Sequence, residues 1–164
     1  MLFFTHTDMK PITLIALITA AFSSQAKINA CQKQSVAIHS IQGTNNNSEL
    51  EGQEVFVKGI MTADFRGKEK LSGYFIQSLR VDNKDNTSEG LFIHENNLQL
   101  PIQVGDMVAV QGVVQEQFGV TQLSQAKRTK VCSSNHKLPD PVRIKLPLEG
   151  QNLEDYEGMR VALA

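Results

Sequence analysis

Gly52–Met61 reads GQEVFVKGIM and Gly105–Val114 reads GDMVAVQGVV, two copies of one pattern, G-[QD]-x-V-x-V-x-G-[IV]-[MV]. Alternating valines mark a strand with one buried face, and a glycine in mid-run marks a strand that bends sharply. Two such strands of about ten residues predict a small closed barrel, where strands curl and corners need glycine. Small Greek-key barrels are commonly binding modules, so function has to be sought in the residues around the repeats.

Working outward, Val36–Ile41 alternates briefly and is expected to form an opening strand. The first repeat extends to a strand over Glu54–Phe65, and Arg66–Lys70 is a charged hairpin tip. Leu71–Leu79 reads as a second strand, Val81–Glu89 as a polar loop and Gly90–His94 as a short third strand. The second repeat extends over Asp106–Phe118 and turns at Gly119. Val120–Leu123 follows, and Lys130–Cys132 resumes the same sheet. Leu153–Tyr156 is the only helix-like stretch, and a weak one, so the domain is expected to be all-β.

The 164 residues suffice for one domain and a processed N-terminus, and 41% hydrophobic with 20% charged residues is the composition of a chain that folds. A net charge of -1 excludes a global field for nucleic acid or an anionic membrane, so a polyanion site would have to be a local patch. At the N-terminus Lys10 precedes the apolar run Ile12–Phe22, and Ser24-Gln25-Ala26 offers small residues for cleavage. Residues 1–26 therefore read as a signal peptide, with Met9 a more natural start than Met1. A retained anchor helix is the alternative.

Export to a periplasmic or extracellular, oxidising compartment makes Cys31 and Cys132 a disulfide pair. The rival reading, lipidation of Cys31, meets a poor fit in Ile28-Asn29-Ala30. The barrel is expected over 27–135. Residues 136–164 read as a connector leaving the domain, punctuated by Pro139, Pro141 and Pro147, with a further strand starting at Met159–Leu163. No partner strand follows it, which suggests a truncated product; alternatively the strand completes the barrel.

Four stretches carry a resemblance: LSGYFIQS (from Leu71), TSEGLFIHE (from Thr87), VGDMVAVQGVVQEQFGVTQLS (from Val104) and LPDPVRIKLPLEGQNLEDYEGMRV (from Leu138). In order, over about Ile38–Val161, they resemble the N-terminal OB-fold region of bacterial extracellular endonucleases of the ExeM/NucH type. The repeat core alone is common to many OB-folds, and FGVTQL with LEDYEGMRV is more specific. The resemblance implies an OB-fold-like, five-stranded Greek-key barrel with extended N- and C-terminal segments. It implies a module that precedes a catalytic endonuclease/exonuclease/phosphatase domain, which is not in this chain. A divalent metal is implied only for that domain. The family's Asp-rich loop is thinned to Asp82, Asp85 and Glu89, with Lys84 among them.

No G-x-S-x-G, HExxH or P-loop is present, so no catalytic residue is assigned. The carboxylates Asp64, Glu69, Asp106 and Glu116 are dispersed, and Glu154, Asp155 and Glu157 lack a basic or histidine partner nearby in sequence. No cofactor or metal is expected: no CxxC or HxxxH spacing occurs, the four histidines are scattered, and Asp82–Thr87 lacks the alternating oxygens and central glycine of an EF-hand loop.

Binding is the better prospect, with DNA, single- or double-stranded, and a catalytic nuclease domain as the partners. Single-strand sites on OB-folds combine cations along phosphates with aromatic faces under bases. Arg66, Lys68 and Lys70 at the first hairpin, and Lys127, Arg128 and Lys130 on the last strand, are the candidate cations. Tyr74 and Phe75 point to opposite faces, Tyr74 with Ile76 and Phe75 with Gln77. One aromatic is core and the other a stacking platform, with Tyr74 expected to be partly buried, hydroxyl outward. The ordinary roles of such residues are solubilising lysines and core aromatics. Lys58 opposes the repeat's valines and is expected outside the barrel.

Overall fold

A computed structural model describes residues 29–80, 82, 84, 86–150 and 152–164. The signal peptide read over 1–26 lies outside the described residues. Both repeats form long strands, β1 (Glu54–Phe65) and β4 (Met107–Gln117). Between them lie β2 (Gly73–Gln77) and β3 (Gly90–Ile93), and after them β5 (Val120–Ser133). The repeats pair antiparallel with each other, Val57 opposite Val110. The hydrogen-bonded order β1-β2-β3-β5-β4 returns to β1 and closes a barrel. Its closing pair, β3 with β5, is parallel and two residues long, Phe92 with Gln122 and Ile93 with Leu123. Closure gives each of these five strands a neighbour on both sides.

The repeat valines fill the barrel. Val55, Val57, Val108, Val110 and Val114 join Met61, Tyr74, Ile76, Leu91, Ile93 and Leu123 in one buried cluster. The mid-strand glycines are sites of close strand approach. A Cβ on Gly59 would lie 3.1 Å from Ile76 Cβ, and one on Gly112 would lie 2.9 Å from Ser124 O. At Gly112 the register with β5 jumps, from Gln111 opposite Arg128 to Val113 opposite Ser124. This bulge joins into one strand the two pieces read from sequence, Val120–Leu123 and Lys130–Cys132, and explains the lost alternation between them.

The opening segment differs from its reading. Only Val36 bridges β1, at Val57, and Ile38–Gln42 is a short helix, α1. Ile38 and Ile41 are three apart, so a helical turn puts both on one face, and both enter the core. Upstream, Cys31 pairs with Cys132 as expected, with 5.4 Å between Cα atoms and a sequence separation of 101. Lys58 does lie outside the core cluster, where its Nζ donates to Cys31 O at 2.9 Å.

The C-terminal segment returns to the barrel and does not lead away from it. Val142–Ile144 (β6) pairs in parallel with Val161–Leu163 (β7), so the partner of the last strand precedes it in the chain. Leu153–Tyr156 between them is a 3-10 turn. Prolines keep the segment extended, and an extended segment is free to pair. Gly158 lies so close to Gly90 that a Cβ on Gly90 would sit 2.2 Å from the Gly158 carbonyl carbon. Ser88 Oγ donates to Glu157 O at 2.5 Å and Arg160 N donates to Gln77 Oε1 at 3.1 Å. The Glu157 carboxylate accepts from Gln42 Nε2 at 3.2 Å and from Thr121 N at 3.0 Å. It thereby ties α1, β5 and the C-terminal segment together.

Two outcomes are expected. Replacing both cysteines by serine removes the constraint on a loop of about 100 residues and should lower the unfolding free energy by roughly 3–5 kcal/mol in a urea titration. A loss under about 1 kcal/mol would show that loop closure is not what the bridge contributes. Burial, helped by Glu154, pushes the Glu157 carboxyl up to about 7 against the pull of Gln42 and Thr121. A folded-state value above the unfolded one means that folding favours the protonated form. That stability is full below about 4.5 and is lost as pH rises through about 7. Protection factors for hydrogen exchange at 153–163, taken relative to the intrinsic rate at each pH, should therefore fall between about pH 5 and pH 8, and Glu157→Gln should flatten that fall. An equal slope in the variant would remove Glu157 as its source.

Candidate functional site

The outer face of β2 and β3 carries an aromatic row. Phe75 stands opposite Phe92 across the strand pair, with ring centroids 4.9 Å apart. Phe65, at the end of β1, meets the edge of Phe75 at 6.0 Å. Gly73 makes room for this row, since a Cβ there would lie 2.4 Å from Phe92 Cζ. The hairpin between β4 and β5 adds Phe118. With Leu71, His94 and Gln122, the rings of Phe75, Phe92 and Phe118 line an open groove of about 370 Å³.

Phe118 is the least ordinary residue of the face. It is 97% exposed. Its φ is +57° and that of Gly119 is +77°, between the paired residues Gln117 and Val120. Two positive φ values make the tight hairpin turn that suits strand twist, and asparagine is the residue that normally fills its first position. A phenylalanine there is strained by about 1–2 kcal/mol and gains no burial in return.

The residues singled out from sequence disperse. Phe75 is half-buried in the groove, the stacking-platform position left open between it and Tyr74. Tyr74 is fully buried in the core, which corrects the expectation of an outward hydroxyl: its Oη meets Thr129 Oγ1 at 3.3 Å. Burial pushes that phenol well up from its ordinary value. Gln77 is buried as well, its side chain receiving Arg160 N. Arg66 is no surface cation. Its Nε and Nη2 donate to the Asp64 carboxylate at 2.9 and 2.7 Å. Nη1 donates to Asn97 O and Leu100 O, and Nη2 also to Ile102 O. The Asp64 pair raises the guanidinium pKa still further, and the same bonds hold the Asp64 carboxyl below its usual range. Arg66 thus clamps the segment leading into β4.

Lys68 and Lys70 are exposed on the β1–β2 hairpin beside Leu71. Lys127 pairs with Glu54 at 2.6 Å, Arg128 is exposed, and Lys130 donates to Asn29 Oδ1 at 3.0 Å. These three lie on the C-terminal half of β5, beyond the residues that pair with β3, and Lys130 borders a separate cavity of about 620 Å³ with Asp106 and Thr129. None of the three lines the aromatic groove. Sequence reasoning missed Phe92, Phe118 and Leu71. A Phe-Gly pair at a hairpin tip, where Asn-Gly is usual, was the available signal for Phe118.

No protein-family model matches the chain, and no curated protein matches it.

Arg66→Ala should lower stability by about 2–4 kcal/mol, because it strands Asp64 and three carbonyls at once. Arg66→Lys should recover little, since one ammonium cannot span those acceptors. A wild-type thermal midpoint in either variant would return Arg66 to the list of free cations.

Proposed function

We propose that this chain is a secreted, non-catalytic accessory module of an extracellular DNA-degrading enzyme, built as an OB-fold-type Greek-key barrel. Its aromatic groove stacks unpaired bases, and Lys68 and Lys70 on the neighbouring hairpin meet phosphates. Phe118 carries the reading: a ring held in solvent at a strained turn position is retained for contact, as strain at functional sites generally is. The barrel order, the parallel β3–β5 closure and the position of the groove between the β1–β2 and β4–β5 hairpins support it, because OB-folds bind oligonucleotides on that face. The disulfide and the leader read in the sequence support export to the periplasm or beyond.

One observation favours a second reading, in which the groove packs against a catalytic domain. Besides Gln117 and Gln122 the groove is lined by aromatic and aliphatic side chains, and among the described residues no lysine or arginine lines it. Apolar patches of this kind mark protein contacts as readily as base-stacking sites.

Fluorescence anisotropy with labelled single-stranded DNA at low and high salt separates the two. Stacking predicts weak, salt-sensitive binding that Phe75→Ala or Phe118→Asn weakens about tenfold, as loss of one base–aromatic stack of 1–3 kcal/mol does. Phe118→Asn should at the same time stabilise the fold by about 0.5–1 kcal/mol by relieving the turn. Absence of binding at high micromolar protein would leave the packing reading.

A further inference from the structure

We propose that His39, Asp82 and Glu89 form a binding site for a divalent transition-metal cation of the Zn²⁺ or Mn²⁺ type, joining α1 to the β2–β3 loop. One ligand atom from each residue lies within 4.8 Å of the others. His39 Nδ1 is 3.2 Å from Glu89 Oε1 and 3.9 Å from Asp82 Oδ2. Ligands each about 2.1 Å from an ion stand roughly 3–3.5 Å apart, so the first pair is already spaced for one and the second closes by a small carboxylate rotation.

A second observation bears on the same carboxylate. Glu89 is 3% exposed, and its Oε2, on the same carboxylate that faces His39, is buried without a hydrogen-bond partner among the described residues. A buried carboxylate oxygen left unpaired is destabilising, and a cation would offset that cost. Among the described residues, His39 is the one basic group within ion-pair distance of Glu89. The carboxylates are held in place by neighbours, as ligands generally are. Asp82 N donates to Glu89 Oε1 at 2.9 Å, Lys84 N to Asp82 Oδ1 at 2.9 Å, and Thr87 Oγ1 to Asp82 Oδ2 at 3.1 Å. The His39 side chain is 28% exposed, which leaves an entry path and room for water ligands.

Two carboxylates balance a dication, and the imidazole favours zinc or manganese over calcium, whose ligands are oxygens. Sequence spacing could not reveal the site, since His39 and Glu89 are 50 residues apart and only the fold joins them. It shares no residue with the aromatic groove.

Thermal unfolding of the full chain with millimolar Zn²⁺, Mn²⁺ or Ca²⁺, each reversed by chelator, tests the site. Zn²⁺ or Mn²⁺ should raise Tm by about 5 °C or more, as a ligand well above its Kd does. Affinity measured calorimetrically should fall at least about tenfold in His39→Ala and in Glu89→Gln, while His136→Ala keeps it. Mn²⁺ should broaden the amide resonances of His39 and Thr87 in the unaltered protein, a readout that needs no variant. No shift with either transition ion, a shift with Ca²⁺ alone, an undiminished affinity in the variants, or broadening centred elsewhere would overturn the assignment.

Discussion

The parallel contact between β3 and β5 spans two residue pairs, yet it turns a five-stranded sheet into a ring. Without it β3 and β5 would be exposed edges, and the inward side chains of β2 and β3 would lack an opposing wall. Such a short contact holds because packing supports it from both sides. Inside, Ile93 and Leu123 belong to the same buried cluster as the repeat valines. Outside, the C-terminal segment lies across this region, with Gly158 against Gly90 and Glu157 bonded to Thr121. The N-terminal segment does similar work at Ile38 and Ile41. A barrel of this size buries a limited core, and the added segments and the Cys31–Cys132 bridge supplement it.

Ring closure also makes the groove. Phe75 and Phe92 come from the β2–β3 pair and Phe118 from the tip of the β4–β5 hairpin. They line one groove because β5 lies beside β3. The groove therefore depends on pairing across the chain, whereas a run of cations along the chain does not show which of them are free. Arg66, drawn from a charged run, has its guanidinium consumed by Asp64 and backbone carbonyls. Burying a guanidinium is tolerable only with such partners, and once they are in place it is not free for phosphate.

Strand positions were legible in the residues for a physical reason: period-two alternation is a local property, and Glu54–Phe65 is an alternating run that ends where the charges begin. The same rule misread Val36–Ile41, where a short alternation also satisfies a helical turn and burial of both Ile38 and Ile41 in the core favours the helix. It also left Tyr74 and Phe75 undecided, because alternation says that neighbours face apart without saying which faces in. The partner of β7 was sought downstream, but parallel pairing permits an upstream partner across an intervening turn.

By itself the sequence determined the β class, the bounds of the two long strands to within a residue, the two glycine positions within them and the oxidised pairing of two cysteines. These follow from local periodicity, from backbone sterics and from the arithmetic of two cysteines. Tertiary structure alone decided that Tyr74 is core and Phe75 is surface, that Arg66 is a clamp, that Phe118 completes an aromatic groove, and that His39 meets Asp82 and Glu89. Each of these depends on which distant segments become neighbours, and that is set by the packing energy of the closed ring as a whole.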